Sequence, residues 1–281
     1  MVATSTSRSA VEPIRPTPRR ALPWPVQFYR SAVGRKWVMG LTGLMLVGFV
    51  VFHLAGNLKA YLGPEEINEY GESLRDLGGH LVPRTHLLWV LRIGLIGAFA
   101  LHIHSAYTLK EMSRKASPKA DYMTGQKKYA GKQRFVAADF ASRSMRWTGP
   151  IVLLYVIFHL ADLTWGWVDS DWERGNVYAN MANSMSSLPI ALIYIVANVA
   201  LAIHVYHGLW SAFQSLGINN PKINGFRRPL SMAVAGLILV GNLSFPIMVQ
   251  AGVLDADNSP SHAEAVDDDH NTAGTSEEAG L

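Results

Sequence analysis

The sequence predicts an all-α membrane protein with five transmembrane helices, because of its hydropathy, its long apolar runs and the placement of its charges. The chain has 281 residues, of which 49% are hydrophobic, and its mean hydropathy of +0.13 is high for a water-soluble domain. The apolar residues are concentrated in five runs, each close to the ~20 residues that cross a ~30 Å hydrocarbon core as a helix. These runs cover residues 37–56, 87–109, 147–167, 188–213 and 229–254.

Composition excludes several other classes of protein. The first, fourth and fifth runs contain no Asp, Glu, Lys or Arg. Five such helices buried inside a soluble enzyme would leave too little polar chain to cover them. The chain has no Cys, which excludes disulfides and any thiolate metal ligand from this chain itself. A net charge of +4 alone would suggest nucleic acid as a partner, but the distribution of the charges favours a membrane instead.

The charges predict how the helices are oriented. Seven Lys and Arg residues precede the first run, ten lie between residues 110 and 146, and three more precede the last run. The loops at the opposite ends of the runs are acidic. The positive-inside rule therefore places the N-terminus in the cytoplasm and the C-terminus outside. We expect a cytoplasmic arm at residues 1–30, a five-helix domain at 31–254 and a disordered acidic tail at 255–281.

Six of the ten histidines fall inside the apolar runs: His53, His102, His104, His159, His204 and His207. An ionisable residue within a membrane is costly and indicates a function. At the helical rise, His53 and His159 lie about 24 and 18 Å from the inner ends of their runs, and His102 and His204 about 10 and 13 Å. Helices one and three thus share an outer level, and helices two and four an inner level. The repeat of Phe-His-Leu-Ala at His53 and His159 supports this pairing.

Two imidazoles from facing helices in a core without cysteine are the ligands expected for a b-type haem. We therefore expect the first four helices to form a cofactor-binding bundle with one or two haems, two being favoured. His104 is two residues from His102 and points to the opposite helix face. His207 is three residues after His204 on nearly the same face. It is a candidate partner of a haem propionate, a quinone oxygen or another subunit.

Two other metal centres are weaker alternatives. A Rieske-type 2Fe–2S cluster uses two histidines, but a partner subunit would have to supply its two cysteines. Zinc favours four tetrahedral ligands and a carboxylate beside them. Asp162 is the only acid in any run, and we expect it at the outer rim of the membrane.

Three motifs resemble those of a known family. They are Phe-His53-Leu-Ala-Gly-Asn57-Leu, Phe-His159-Leu-Ala-Asp-Leu and His204-Val-Tyr-His207-Gly-Leu-Trp210-Ser-Ala-Phe. Together they resemble the cytochrome b membrane-anchor subunit of succinate dehydrogenase and fumarate reductase (respiratory complex II), in its single-polypeptide, five-helix, di-haem form. The resemblance covers roughly residues 28–254. It implies His53 with His159 as metal ligands of an outer haem, and His102 with His204 as those of an inner haem.

The resemblance also implies partners and a role. A flavoprotein subunit, which oxidises succinate, and an iron–sulfur subunit would dock on the cytoplasmic side of a bacterial cell membrane. This chain would not bind succinate; it would pass electrons from the iron–sulfur subunit to a membrane quinone, with menaquinone favoured. Ser31 and Arg35, four residues apart, resemble quinone-binding residues of related anchors, although Arg35 alone also fits a side chain reaching lipid headgroups. Arg92, inside the second run, is expected to pair with a haem propionate or an outer-loop acid.

Two rival functions remain open at this point. A di-haem cytochrome b anchor of formate dehydrogenase or hydrogenase would use similar ligands, although those anchors usually differ in helix number. A transporter that relays protons through histidines would need no haem. A reduced-minus-oxidised spectrum distinguishes the transporter from the cytochromes.

Overall fold

The computed structural model describes residues 22–116, 136–218 and 220–258, and within those ranges it is helical and without strands. In chain order the helices are α1 (Trp24–Arg30), α2 (Ala32–Asn57), α3 (Pro64–Ser73), α4 (His86–Ala116), α5 (Val136–His159), α6 (Val177–Ser186), α7 (Leu188–Ser215) and α8 (Pro221–Gln250). Five of these, α2, α4, α5, α7 and α8, are long and apolar enough to cross a membrane. The prediction of an all-α protein with five such helices is therefore confirmed for the described residues.

The predicted boundaries are close to those of the structure. α2 begins at Ala32, before the predicted start at residue 37, and α4 and α7 enclose their predicted runs. The third membrane helix ends at Thr164 instead of residue 167, and α8 ends at Gln250 instead of residue 254. Residues 1–21 of the predicted arm, residues 117–135 of the basic loop and residues 259–281 of the predicted tail lie outside the described residues.

A break at Ser31 separates α1 from α2. Ser31 has an extended backbone, and its Oγ accepts a hydrogen bond of 2.9 Å from the backbone N–H of Gly34. This is the N-cap arrangement that starts a helix. The backbone approach is so close that a Cβ on Gly34 would lie 1.9 Å from the carbonyl oxygen of Phe28. The junction therefore depends on both the hydroxyl of Ser31 and the missing side chain of Gly34, and it allows α1 to pack on α2.

The membrane helices pack around two central ones, α2 and α7. These two contact each other, α4 packs on α2, α5 packs on α7, and α8 packs mainly on α7. Many residues that α7 buries are alanines, including Ala191, Ala197, Ala200 and Ala202. Small residues allow helix backbones to approach closely, which matters in lipid because the hydrophobic effect does not drive helices together there. The other three long membrane helices therefore pack mainly on α2 and α7.

The connections after α2 and α5 form a layer at one end of the membrane helices, in which Ile67 of α3 and Tyr178, Met181 and Met185 of α6 belong to a hydrophobic core. α3 packs against α6 in this layer. Arg84 binds Glu72 at 2.8 Å and Asp76 at 2.9 Å, so part of the predicted acidic loop is engaged in ion pairs. α5 ends in a single π-helical turn, Leu160–Thr164, that follows His159 directly. Such wide turns often occur at functional sites.

Candidate functional site

The first pair of predicted site residues, His53 and His159, meets between α2 and α5. Their ring centres are 5.9 Å apart and their planes are inclined at 84°. Phe49, one turn earlier on α2, stacks on His53 with a centre-to-centre distance of 5.4 Å. Tyr155, one turn earlier on α5, lies 5.8 Å from His159. Aromatic neighbours on both helices therefore restrict the orientation of this pair.

The second pair, His102 and His204, meets between α4 and α7. Their ring centres are 6.4 Å apart and their planes are inclined at 68°. Gly43 of α2 lies against His102, and a Cβ there would be 3.1 Å from the ring carbon Cε1. Glycine at this position is thus what gives the imidazole room between the helices. The two pairs take one histidine from each of four membrane helices, as the sequence predicts.

Three of these four imidazoles have a hydrogen-bonding partner within reach of Nδ1. His102 Nδ1 lies 3.1 Å from the carbonyl oxygen of Met39, and His204 Nδ1 lies 3.3 Å from the hydroxyl of Thr148. His159 Nδ1 lies 3.5 Å from the hydroxyl of Tyr194. A partner at one ring nitrogen fixes the tautomer and leaves the other nitrogen for a metal. The arrangement therefore presents Nε2 as the candidate ligand atom.

The separation within each pair distinguishes between kinds of metal centre. A metal–nitrogen bond of about 2 Å, and a nitrogen about 1.2 Å from its ring centre, place two axial imidazoles on opposite sides of one iron about 6.4 Å apart. Two imidazoles at a tetrahedral angle on one metal would be about 5 Å apart on the same reasoning. The observed 5.9 and 6.4 Å fit the axial arrangement better.

The number of metal ligands that the described residues can supply also favours a haem over zinc. In the described part of the chain, no group of three or more His, Asp or Glu side chains lies close enough to hold a metal ion. Zinc bound by this chain alone would lack ligands there. A haem supplies the four in-plane nitrogens itself and needs only two axial residues. The paired histidines therefore fit a haem.

Open space beside the inner pair is consistent with a flat ring. Gly208 follows His204 by one helical turn on the same face of α7, and no atom lies within 4 Å of a Cβ built there. Gly149 of α5 faces the same imidazole, with its Cβ position 3.8 Å from Cε1 of His204. Small residues around the ring thus leave room that larger side chains would fill.

Asp162 lies in the turn at the end of the third membrane helix, within three residues of its last residue. The side chain is fully buried, with 0% of its surface exposed, which the sequence does not predict. Its Oδ2 accepts hydrogen bonds from Ser184 at 2.6 Å and Tyr194 at 2.7 Å. The reason is the layer formed by α6, which the apolar runs did not predict and which covers the end of α5. Tyr194, Ser184 and Thr148 are site residues that sequence reasoning missed.

The remaining intramembrane histidines lie outside the two pairs. His104 lies on the other face of α4 from His102, as the spacing predicts, and its Nδ1 is 2.5 Å from the hydroxyl of Tyr29. That hydroxyl is also 3.4 Å from the hydroxyl of buried Ser105. His207 is 7% exposed, and its ring centre is 4.9 Å from that of Tyr206. The role predicted for His207 beside a cofactor stays a prediction.

The three predicted polar residues at the membrane boundaries occupy separate environments. Ser31 caps α2, and its hydroxyl donates to the carbonyl oxygen of Phe28 at 2.7 Å. Arg35 contacts the sulfur of Met112 at 3.1 Å through Nη1, while its Nε is buried and has no hydrogen-bond partner in residues 22–116, 136–218 and 220–258. Arg92 is exposed and lies over the ring of Trp89 at 5.3 Å. Within the described residues Arg92 forms no ion pair, so its predicted link to the cofactor stays a prediction.

Comparison with known proteins adds nothing to these observations. No family model, no curated protein and no solved structure matches this chain.

Proposed function

We propose that this chain is the membrane-anchor and electron-transfer subunit of a succinate:quinone oxidoreductase, holding two b-type haems. One observation carries the proposal: four membrane helices contribute one imidazole each, and these form two pairs at separations suited to axial ligation. Ionisable residues within membrane segments are rare and typically mark functional sites. The three sequence motifs described above support the choice of family.

The chain's own residues would bind and orient the cofactors. A b-type haem, when bound, supplies reversible one-electron transfer at its iron. Nε2 of His53 and His159 would hold the outer haem, and Nε2 of His102 and His204 the inner one. The partners at Nδ1 of His102, His159 and His204 would keep these three rings in the ligating tautomer. Apolar side chains of α2, α4, α5 and α7 would surround a bound haem.

The charge distribution supports a cytoplasmic docking surface. Arg30, Lys36, Lys222 and Arg228 lie at the same end of the helices as the basic loop between α4 and α5. By the positive-inside rule this end faces the cytoplasm of a bacterial cell. We place an iron–sulfur subunit there, with a flavoprotein behind it. The inner histidine pair is the one nearer to this surface.

The same end contains the best candidate for a quinone site. The buried Nε of Arg35 is a donor without a partner among the described residues, and a quinone oxygen would satisfy it. The hydroxyl of Ser31 is already used in capping α2, so Arg35 is the stronger of the two candidates. Menaquinone is favoured through the family resemblance. Binding here would place the quinone between the iron–sulfur subunit and the membrane.

The experiment that tests this function is gentle purification of the tagged full chain from its native membrane. We expect a flavoprotein and an iron–sulfur protein to co-purify, and succinate to reduce both the haem and an added menaquinone analogue. Reduction of the haem by formate or hydrogen, and not by succinate, would instead assign the chain to another dehydrogenase. A matched preparation carrying His204→Ala shows whether electron flow passes through the inner pair.

A further inference from the structure

Asp162 is a carboxylate buried inside a membrane protein without a cation beside it. None of its surface is exposed, and within the described residues it forms no salt bridge. Oδ2 accepts hydrogen bonds from two hydroxyls, those of Ser184 and Tyr194, whereas Oδ1 is buried and has no hydrogen-bond partner in the part of the chain that the structure describes. Burying an acidic side chain without a paired cation is energetically unfavourable. An acid held in this way needs a functional explanation.

A chain of hydrogen bonds connects this carboxylate to the outer histidine pair. The hydroxyl of Tyr194 donates a hydrogen bond to Asp162 at 2.7 Å, so its oxygen can still accept a hydrogen bond from another group. His159 Nδ1 lies 3.5 Å from that oxygen, and the two ring centres are 6.1 Å apart. The direction of donation therefore runs from His159 through Tyr194 to Asp162. Asp162 lies in the π turn that directly follows His159, so the acid and the histidine are close together in the sequence.

Among the residues that the structure describes, the inner pair is not connected to an acidic side chain in this way. His102 Nδ1 meets the carbonyl oxygen of Met39. His204 Nδ1 meets Thr148, whose hydroxyl donates at 3.0 Å to the carbonyl oxygen of Ser144. Both contacts end on neutral backbone groups. Of the three imidazoles with a partner at Nδ1, only His159 is connected to an acidic side chain.

We propose that Asp162 is a positioning residue that acts through Tyr194 on His159 and lowers the reduction potential of the outer haem. This inference rests on the proposed function. Hydrogen bonding from Nδ1–H toward a carboxylate increases the electron donation of the imidazole at Nε2. A stronger axial donor stabilises the ferric iron relative to the ferrous iron, so the midpoint potential falls. Ser184 holds the carboxylate in place from α6.

The test is a redox titration of haem absorbance in the purified complex, for the unaltered chain and for Tyr194→Phe, Asp162→Asn and the double variant. Tyr194→Phe retains the ring and removes only the hydroxyl, so it tests the chain of hydrogen bonds with little effect on packing. We expect the midpoint potential of the outer haem to rise in both single variants and that of the inner haem to stay unchanged. The double variant should shift no further than the larger single one, because both residues act through one route.

A matched control is available in Tyr155→Phe. Tyr155 also lies beside His159, at 5.8 Å between ring centres, but its hydroxyl accepts from Asn198. We expect no shift in this variant. An unchanged potential in Tyr194→Phe, or shifts that add fully in the double variant, would overturn the inference and leave the proposed function intact. Absence of haem from the unaltered complex would refute the proposed function and this inference together.

Discussion

At the scale of single residues, each proposed ligand depends on a neighbour that sets its orientation. Thr148 and Met39 face Nδ1 of the inner imidazoles, and Gly43 leaves the space in which the ring of His102 lies. An imidazole that rotated away by one rotamer could not meet its partner across the bundle. The proposed site therefore depends on residues that orient the ligands without touching the cofactor.

Removing one inner ligand should remove the inner haem. We predict that His102→Ala, or His204→Ala, lowers the haem content from two to about one per chain, because a b-type haem needs both axial histidines. The measurement is haem per chain in the purified complex, with the b-type absorbance difference as a second readout. His104→Ala is the matched control, since His104 lies on the opposite face of α4 and contacts Tyr29. Equal haem loss in the control would contradict the assignment of His102.

The glycine beside His102, Gly43, should also be needed for full occupancy of the inner haem. Gly43→Ala would place a Cβ 3.1 Å from Cε1 of His102, so the ring must move. We predict reduced occupancy of the inner haem, with the outer haem retained. Gly236→Ala in α8 is the control, because no atom lies within 4 Å of its Cβ position. Both substitutions raise helix propensity by roughly 1 kcal/mol, so the difference between them isolates the contact with the ring. Full inner occupancy in Gly43→Ala would contradict the geometry.

At the scale of helices, α8 has a different role from the other four membrane helices. It contains no histidine, and it packs on α7 through polar as well as apolar contacts. Asn242 donates to the side-chain oxygen of Asn198 at 2.8 Å, and Asn198 donates to the carbonyl oxygen of Tyr194 at 2.9 Å. Hydrogen bonds between membrane helices typically contribute about 0.6 kcal/mol each. The fifth helix is therefore expected to stabilise the bundle without binding cofactor.

Breaking this contact should reduce stability and spare the haems. We predict that Asn242→Ala lowers the free energy of unfolding by about 1 kcal/mol, because it leaves the buried oxygen of Asn198 unpaired. Unfolding in mixed detergent micelles, followed by helix content, measures the change. Val240→Ala serves as a control, since Val240 is 73% exposed on the outer face of α8. Loss of either haem in Asn242→Ala would show that α8 takes part in holding cofactor.

The five long helices and the pairing of His53 with His159 and of His102 with His204 could be predicted from the sequence, because apolar run length and helical rise are local properties of the chain. The short helices α3 and α6 could not, since their residues are mixed in polarity and are ordered by packing on each other. For the same reason the burial of Asp162 could not be predicted, because nothing local to Asp162 indicates that Ser184 and Tyr194 enclose it. The partners at Nδ1 were also out of reach, because each lies on a different turn or helix from the histidine that it contacts.

At the scale of the whole molecule, we propose that the end at which α4 and α7 finish faces the cytoplasm. The absence of cysteine makes this testable with single introduced thiols. Ser170, between α5 and α6, and Ser113, near the end of α4, are both exposed and lie at opposite ends of the membrane helices. We predict that a membrane-impermeant maleimide labels Ser170→Cys in intact cells, and Ser113→Cys only after the membrane is opened. The reverse pattern would invert the topology and move the proposed docking surface to the other side.

The decisive measurement is the haem content of the intact complex, together with its response to loss of single ligands. We predict two b-type haems per chain in the unaltered protein, and loss of a different one in His53→Ala and in His102→Ala. A complex isolated with its partner subunits that contains no haem, or whose two haems survive both substitutions, would contradict the claim that paired imidazoles from four helices hold the cofactors.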